Sequence, residues 1–325
     1  MKICVYSASD QDKWDDFIAK SKNGTFLFFR DYMDYHSDRF RDHSLIISNE
    51  KGRIISLLPA NTREDTLASH EGLTYGGFIT DDRMTVPVMM DVFNNVTQYL
   101  TIRGFTRFIY KTIPHIYHSF PAEEDLYGLF CKNARLYRRD VLTVIDYRSN
   151  RLKFQQRRLR SIKKALRNHL QVRETDDYEQ FWDILATNLY TKYRLKPVHS
   201  VAEIKLLAKR FPNEIRLVAA YRGDVMQAGA VVYLSRNVCH VQYNAASEDG
   251  KNAGALDLVI DHLVEFFSAS KKYFDFGVST EDNGRYLNVG LVEYKEGFGA
   301  RTIMHDFYEI DLTPIVKERP PCLTQ

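Results

Sequence analysis

The chain has 325 residues, of which 44% are hydrophobic, 13% aromatic and 27% charged, with a formal net charge of +3. That length exceeds what one core usually organises, so two domains are expected. The balance is that of an ordinary globular protein, and so small an excess of positive charge does not argue for nucleic acid by itself. The cysteines Cys4, Cys131, Cys239 and Cys322 are scattered with no CxxC pair. They read as reduced thiols, not as a disulfide framework or a zinc site. The N-terminal MKICVYSASDQDKWDDF has no apolar core region of a signal peptide. No apolar run approaches the roughly 18 residues of a membrane helix, so a cytoplasmic protein without stable membrane insertion is expected.

The first half alternates strands and helices. Asp12 to Ala19 reads as a helix. Ser44–Ser48 and Arg53–Leu58 are strand-like runs around Asn49-Glu50-Lys51-Gly52, a hairpin with a Gly-containing turn. Leu73–Thr80 is expected as a strand. Met89, Val92, Phe93, Val96 and Leu100 recur at helical spacing up to Gly104, and Phe105–Lys111 returns as a strand. Arg151–Asn168 then carries eight cations with Leu159, Ile162 and Leu166 as an apolar stripe, which makes a docked basic helix. Its cations are read either as a solvated face or as a surface for the phosphates of a nucleotide, CoA or tRNA.

The second half repeats the pattern. A helix is expected over Tyr178–Tyr193. Leu217–Tyr221 and Met226–Leu234 flank Arg222-Gly223-Asp224 as a second hairpin, and Val238–Ala246 is a third strand. Leu256, Val259, Ile260, Leu263, Phe266 and Phe267 mark an amphipathic helix, and Phe274–Phe276 is the next strand. Hairpin, strand, helix and strand thus occur twice, which predicts duplicated α/β units with mixed sheets flanked by helices.

The most informative stretch is Tyr273–Ala300, YFDFGVSTEDNGRYLNVGLVEYKEGFGA. An aromatic strand runs into Gly277, a polar loop follows, and a helix-like run from Leu287 to Glu296 ends at Gly297-Phe298-Gly299-Ala300. A D-F-G strand end followed by a Y-K-x-x-F-G helix end resembles the last catalytic segment of the GNAT acyltransferase superfamily. It looks closest to the two-domain, Fem-type, peptidoglycan aminoacyltransferase-like bacterial proteins. The resemblance covers nearly the whole chain and implies two tandem GNAT-like domains, residues 1–148 and 149–325, with the acyl-donor site in the second.

The site residues follow from the resemblance. The strand His240–Ala246 would lie along the donor, with Gln242, Asn244 and Ala245 towards it, and a backbone N–H there would polarise the acyl carbonyl. The turn Gly250-Lys251-Asn252-Ala253-Gly254-Ala255 would hold donor phosphates at a helix N-terminus. It keeps the turn glycines of the R/Q-x-x-G-x-G/A pattern but lacks the leading Arg or Gln, which keeps an aminoacyl-tRNA donor open beside acyl-CoA. An attacking amine must be neutral, and Asp275 or Glu281 would help as base; the plainer reading of each is a loop cap or surface charge. Tyr294 would act on the leaving group and Lys295 at the donor end, against a core aromatic and a solvated lysine.

Tyr75, Lys196 and His199 are candidates for an acceptor cleft between the halves. His115 and His118 form the one close histidine pair, without a Cys or acidic partner, so no metal is expected. The implied function is N-acyl transfer from acyl-CoA to an amine of a cell-envelope precursor or amino sugar, without a covalent enzyme intermediate. The alternatives are tRNA-dependent aminoacyl transfer to a peptidoglycan precursor, or a binding protein on a GNAT scaffold.

Overall fold

The computed structural model describes residues 1–149 and 151–313. Cys322 and the end of the expected second domain lie outside the described residues. In chain order the first half comprises β1 (Lys2–Val5), α1 (Gln11–Lys20), α2 (Arg30–Met33), β2 (Arg41–Asp42), β3 (Leu45–Ser48), β4 (Ile54–Leu58), β5 (Asn61–Arg63), β6 (Thr66–Ala68), β7 (Ile79–Thr80), α3 (Val86–Ile102), β8 (Arg107–Lys111), α4 (Glu124–Cys131) and β9 (Arg135–Asp146). The second half comprises α5 (Gln156–Arg167), β10 (Gln171–Thr175), α6 (Tyr178–Tyr193), α7 (Val201–Arg210), β11 (Ile215–Arg222), β12 (Val225–Leu234), β13 (Val238–Ala246), α8 (Glu248–Ala253), α9 (Ala255–Phe267), β14 (Tyr273–Val278), β15 (Thr280–Glu281), β16 (Tyr286–Leu287), α10 (Val289–Glu296) and β17 (Arg301–Asp311).

Both expected hairpins form, as β3–β4 and β11–β12. The amphipathic runs become α3 and α9, whose apolar stripes are buried. The basic run becomes α5, which buries Ile162 and Ala165 and leaves most of its cations outside. One strand is shorter than its sequence suggests. Leu73–Thr80 is extended in a ladder only at Ile79–Thr80. Side chains claim the backbone groups before that point: Tyr110 Oη accepts from the Phe78 N–H at 2.8 Å, Asn23 donates to the Phe78 carbonyl at 2.9 Å, and Lys111 donates to the Leu73 carbonyl. Groups bonded this way cannot also join a ladder.

Among the described residues the strands form one 4-stranded sheet, β1-β3-β4-β7, one 11-stranded sheet, β10-β11-β12-β13-β14-β9-β17-β8-β6-β5-β2, and one 2-stranded sheet, β15-β16. The large sheet runs unbroken from one half to the other. β9 pairs with β14 on one side and β17 on the other, and β17 pairs with β8. β17, the last strand among the described residues, is therefore shared by the two halves, which the local pattern does not reveal.

Three apolar clusters hold the layers together. One packs α3 against the first-half strands, and one packs α5 and α9 against one face of β11–β14. The third spans the halves, bringing Phe26, Tyr32, Tyr75 and Tyr117 against Trp182, Tyr233 and Tyr273. That aromatic layer covers the face of β13 and β14 opposite α9, so these two strands are walled on both sides.

Candidate active site

The site begins where two neighbouring strands part. β13 and β14 are parallel and pair only at Val238–Tyr273, Cys239–Phe274 and His240–Asp275. Beyond Asp275, β14 turns away, while β13 continues to Ala246 against β12 alone. Within that free stretch β13 carries a bulge. Val231 faces Tyr243 and Val232 faces Val241, which leaves Gln242 without a partner residue. An extra residue reverses the alternation of side chains downstream. Tyr243 consequently joins the aromatic layer with His240, and Asn244 turns to the other face.

On that other face lies a cavity of about 380 Å³ lined by Arg158 of α5, Asn188 of α6, Asn244, Gly250, Gly254 and Tyr294 of α10, among others. Gly254 is at φ +80°, and a Cβ there would come within 2.5 Å of the Ser161 carbonyl oxygen. This close approach seats the start of α9 directly on α5. Arg158 donates to both oxygens of Asp257 at 2.9 and 3.0 Å and lies 4.7 Å over the Tyr294 ring. Lys251 reaches Glu248 at 2.6 Å and Asn188 at 3.3 Å. The Tyr294 hydroxyl is buried beside this cluster. The Asp257 carboxylate is near enough to disfavour a phenolate there, yet no donor–acceptor geometry closes a hydrogen bond to the hydroxyl. Burial, and then the Asp257 carboxylate, push the phenol well above its ordinary range, so it keeps its proton. A second cavity of about 680 Å³ between α6 and α8 shares Asn188 and Lys251 with the first.

On the aromatic face, at the last paired position, Asp275 is 1% exposed. Its Oδ2 accepts from Tyr117 Oη at 2.7 Å and from His240 Nδ1 at 2.9 Å, and its Oδ1 accepts from the Gly277 N–H at 2.7 Å. Burial pushes the carboxyl up, but His240 and the converging donors outweigh it and hold Asp275 below the usual carboxylate range. Lys295 comes from α10 to the same strand end. Its ammonium donates to the carbonyls of Gly277 (2.9 Å) and Val278 (2.7 Å) and to Ser279 Oγ (2.8 Å). Burial lowers it to about 8, against the pull of Asp275.

Among the residues expected from sequence, Asn244, Ala245, Gly250, Lys251, Gly254 and Tyr294 line one cavity. Gln242 is the bulged residue, with Oε1 buried and unpartnered. Asn252 is exposed, and Ala253 and Ala255 pack into the core behind the sheet. Asp275 and Lys295 meet at the end of β14. Tyr75 is buried against Tyr117, 4.4 Å between ring centroids, with its hydroxyl on Thr25. His199 is buried between two phenols, Tyr35 at 2.8 Å from Nε2 and Tyr243 at 2.5 Å from Nδ1, and burial lowers it to about 4. Lys196 is exposed. No group of metal-ligating side chains occurs among the described residues. The sequence gives no local sign of Tyr117, Asn188 or the His240–Asp275 pairing, because each depends on strand register or on contact with a distant segment.

Residues 148–296 match the family model of the acetyltransferase (GNAT) domain. That segment of the chain therefore reads as a GNAT-type domain. Solved structures similar to the whole chain include FemX, at 9% identity and TM-score 0.66, with 96% of this chain and 97% of that one covered. L-PGS from Bacillus licheniformis aligns at 9% identity and TM-score 0.60, covering 94% and 93%. A tandem GNAT protein from the clavulanic acid biosynthesis pathway aligns at 11% identity and TM-score 0.51, covering 96% and 99%. At such identities the likeness is one of fold. No curated protein matches the chain. Within the GNAT frame, the parting of β13 and β14 is the feature around which the cavity and both polar clusters are arranged.

Proposed function

We propose that the protein transfers an acyl group from an activated donor to an amine, by direct attack at the opening between β13 and β14. The observation that carries this reading is that the stretch of β13 left free of β14, at Asn244, Ala245 and Ala246, lines a cavity together with Arg158, Gly254 and Tyr294. Two GNAT-like units, residues 1–148 and 149–325, would cooperate, with the donor in the second. The cavity fits a donor with a phosphate-bearing arm. Arg158 and Asp257 neutralise each other, Arg158 Nε and Tyr294 Oη are buried donors without a protein partner, and Gly254 opens the first turn of α9 to the cavity. Acyl-CoA is the favoured donor, and it would supply the activated thioester carbonyl.

The residues of the chain do the rest. The Gln242 amide, released from the ladder by the bulge, polarises the carbonyl as charge develops on its oxygen. Tyr294 Oη, protonated and unpartnered, donates to the leaving atom. Lys295 fixes the end of β14 through three hydrogen bonds and acts by positioning. A cell-envelope amine or amino sugar is the acceptor class.

A second reading, aminoacyl-tRNA as donor, is favoured by one feature. Arg158 and Lys251, the cations of the cavity, are both ion-paired, whereas Lys163, Lys164 and Arg167 of α5 are exposed and without ion-pair partners.

Titration calorimetry with acetyl-CoA, and with charged tRNA at two salt concentrations, separates these. Saturable CoA binding, weakened at least ~10-fold by Arg158→Ala, supports the first reading. Salt-sensitive tRNA binding without CoA binding selects the second. Neither would leave the alternative of a non-catalytic binder.

A further inference from the structure

We infer that His240 is the general base that takes the proton from the acceptor amine, set in place by Asp275 and by Tyr117 of the first half. The inference rests on the acyl-transfer reading and adds to it the residue that makes the amine nucleophilic.

The argument starts from Asp275. A carboxylate held anionic only accepts hydrogen bonds. Three donors converge on it: the Tyr117 hydroxyl, the Gly277 amide and His240 Nδ1. Nδ1 must therefore carry a proton, and in the neutral imidazole the lone pair is then on Nε2. Among the described residues no atom bonds Nε2, and the His240 side chain remains 11% exposed. An imidazole with Nδ1–H on a buried carboxylate and a free Nε2 is arranged to accept a proton from outside.

Its place in the fold is equally specific. His240 is the last residue of β13 paired with β14, at the point where the two strands part. It faces the side opposite the donor cavity, as the bulge at Gln242 comes after it. Gly277, at φ +73°, keeps the space beside the ring clear: a Cβ there would stand 3.2 Å from Cε1 and 3.9 Å from Nε2. The cavity proposed for the donor and the base thus lie on opposite faces of β13, beside the edge that β14 leaves free.

The step balances simply. The acceptor nitrogen gives a proton to His240 Nε2 and forms the N–C bond. The carbon–sulfur or carbon–oxygen bond of the donor breaks, and Tyr294 Oη protonates the leaving atom. The imidazolium, stabilised by Asp275, then passes its proton to solvent, and the Tyr294 phenolate takes one from solvent, so both groups return to their starting state.

Asp275 and Tyr117 are positioning residues. Tyr117 lies 158 residues from Asp275 in sequence, and its ring also packs against Tyr75, so the first half fixes the orientation of the base in the second.

The test has two arms on the full chain. In the first, protein with 15N-labelled histidine is examined by NMR without substrate. A downfield Nδ1–H and an unprotonated Nε2 at His240, lost in Asp275→Asn, are expected; an Nε2–H tautomer would overturn the proposal. In the second arm, transfer from acetyl-CoA to glucosamine and to a lysine-containing tripeptide is followed. His240→Gln is expected to lower kcat about 100-fold with KM little changed. His240→Gly is expected to recover turnover with added imidazole, and Tyr117→Phe to lower kcat about 3- to 10-fold. Loss of turnover without imidazole rescue, or full turnover in His240→Gln, sinks the assignment. If the unmodified chain transfers to neither amine, the chosen donor and acceptors fail while the NMR arm still decides the dyad.

Discussion

At the scale of single residues, burial decides what each candidate group can do. The Tyr294 hydroxyl is buried with no hydrogen bond, an arrangement that costs stability unless something uses it. Tyr294→Phe is accordingly expected to leave the denaturation midpoint unchanged or slightly raised while lowering turnover by about 100-fold. A matched loss of stability would instead mark the hydroxyl as structural. Gly277 presents the opposite case. Its φ of +73° and the nearby His240 ring leave no room for a side chain without strain. Gly277→Ala is expected to cost about 1–2 kcal/mol in denaturant unfolding and to disturb His240 as well.

The same residues show what sequence reasoning reaches. Asp275 and Gly277 are legible as a pair because a D-F-G strand end is a local pattern. That Asp275 serves a histidine is not legible, because the partner is set by parallel register between β13 and β14. Lys295, read as a residue of the chemistry or a solvated side chain, is instead buried and saturated by two carbonyls and a hydroxyl.

At the scale of elements, α10 and the end of β14 behave as one piece, joined through Lys295. Lys295→Met would leave the Gly277 and Val278 carbonyls and Ser279 without their donor, at a cost of roughly 2–4 kcal/mol. Faster amide exchange across Val289–Glu296, with α3 unchanged, is the expected signature. Exchange that rises equally in both would show a global loss of stability instead of a local joint. The hairpins and amphipathic helices were readable because their signals are periodic and local. The shortened strand before β7 was not, since Tyr110, Asn23 and Lys111 reach it from 32 to 55 residues away in sequence.

At the scale of the whole molecule, the joined sheet and the aromatic layer make the halves interdependent. That layer and its surroundings hold histidines in the neutral form. Burial lowers His118, His199 and His305 each to about 4, and pushes His36, His43 and His70 the same way. A folded-state value below the unfolded 6.5 means that the unfolded chain binds more protons between these limits, so stability falls as pH drops from 6.5 to 4. At pH 5 each of the first three would remove about 2 kcal/mol relative to neutral pH. Asp125 works the other way: burial raises it to about 6, so protonating it favours the folded state. Urea unfolding at pH 7 and pH 5 should show a net loss of several kcal/mol, and a flat profile would mean that these imidazoles are not held neutral.

The sequence by itself determined the order of the main elements, the duplication of a strand–helix unit and the D-F-G end of β14, whereas the stretch expected as a turn over Gly250–Ala255 is largely the short helix α8, closed by Gly254. The legible features rest on short-range periodicity and on glycines at turns, which act within a few residues. Only the tertiary structure decided that β9 and β17 weld the halves into one sheet, that a bulge at Gln242 gives Tyr243 to the aromatic face and Asn244 to the cavity, and that Tyr117, Asp275 and His240 meet. Those outcomes depend on strand register and on contacts more than a hundred residues apart, where the choice is made by burial and hydrogen-bond satisfaction across the whole core.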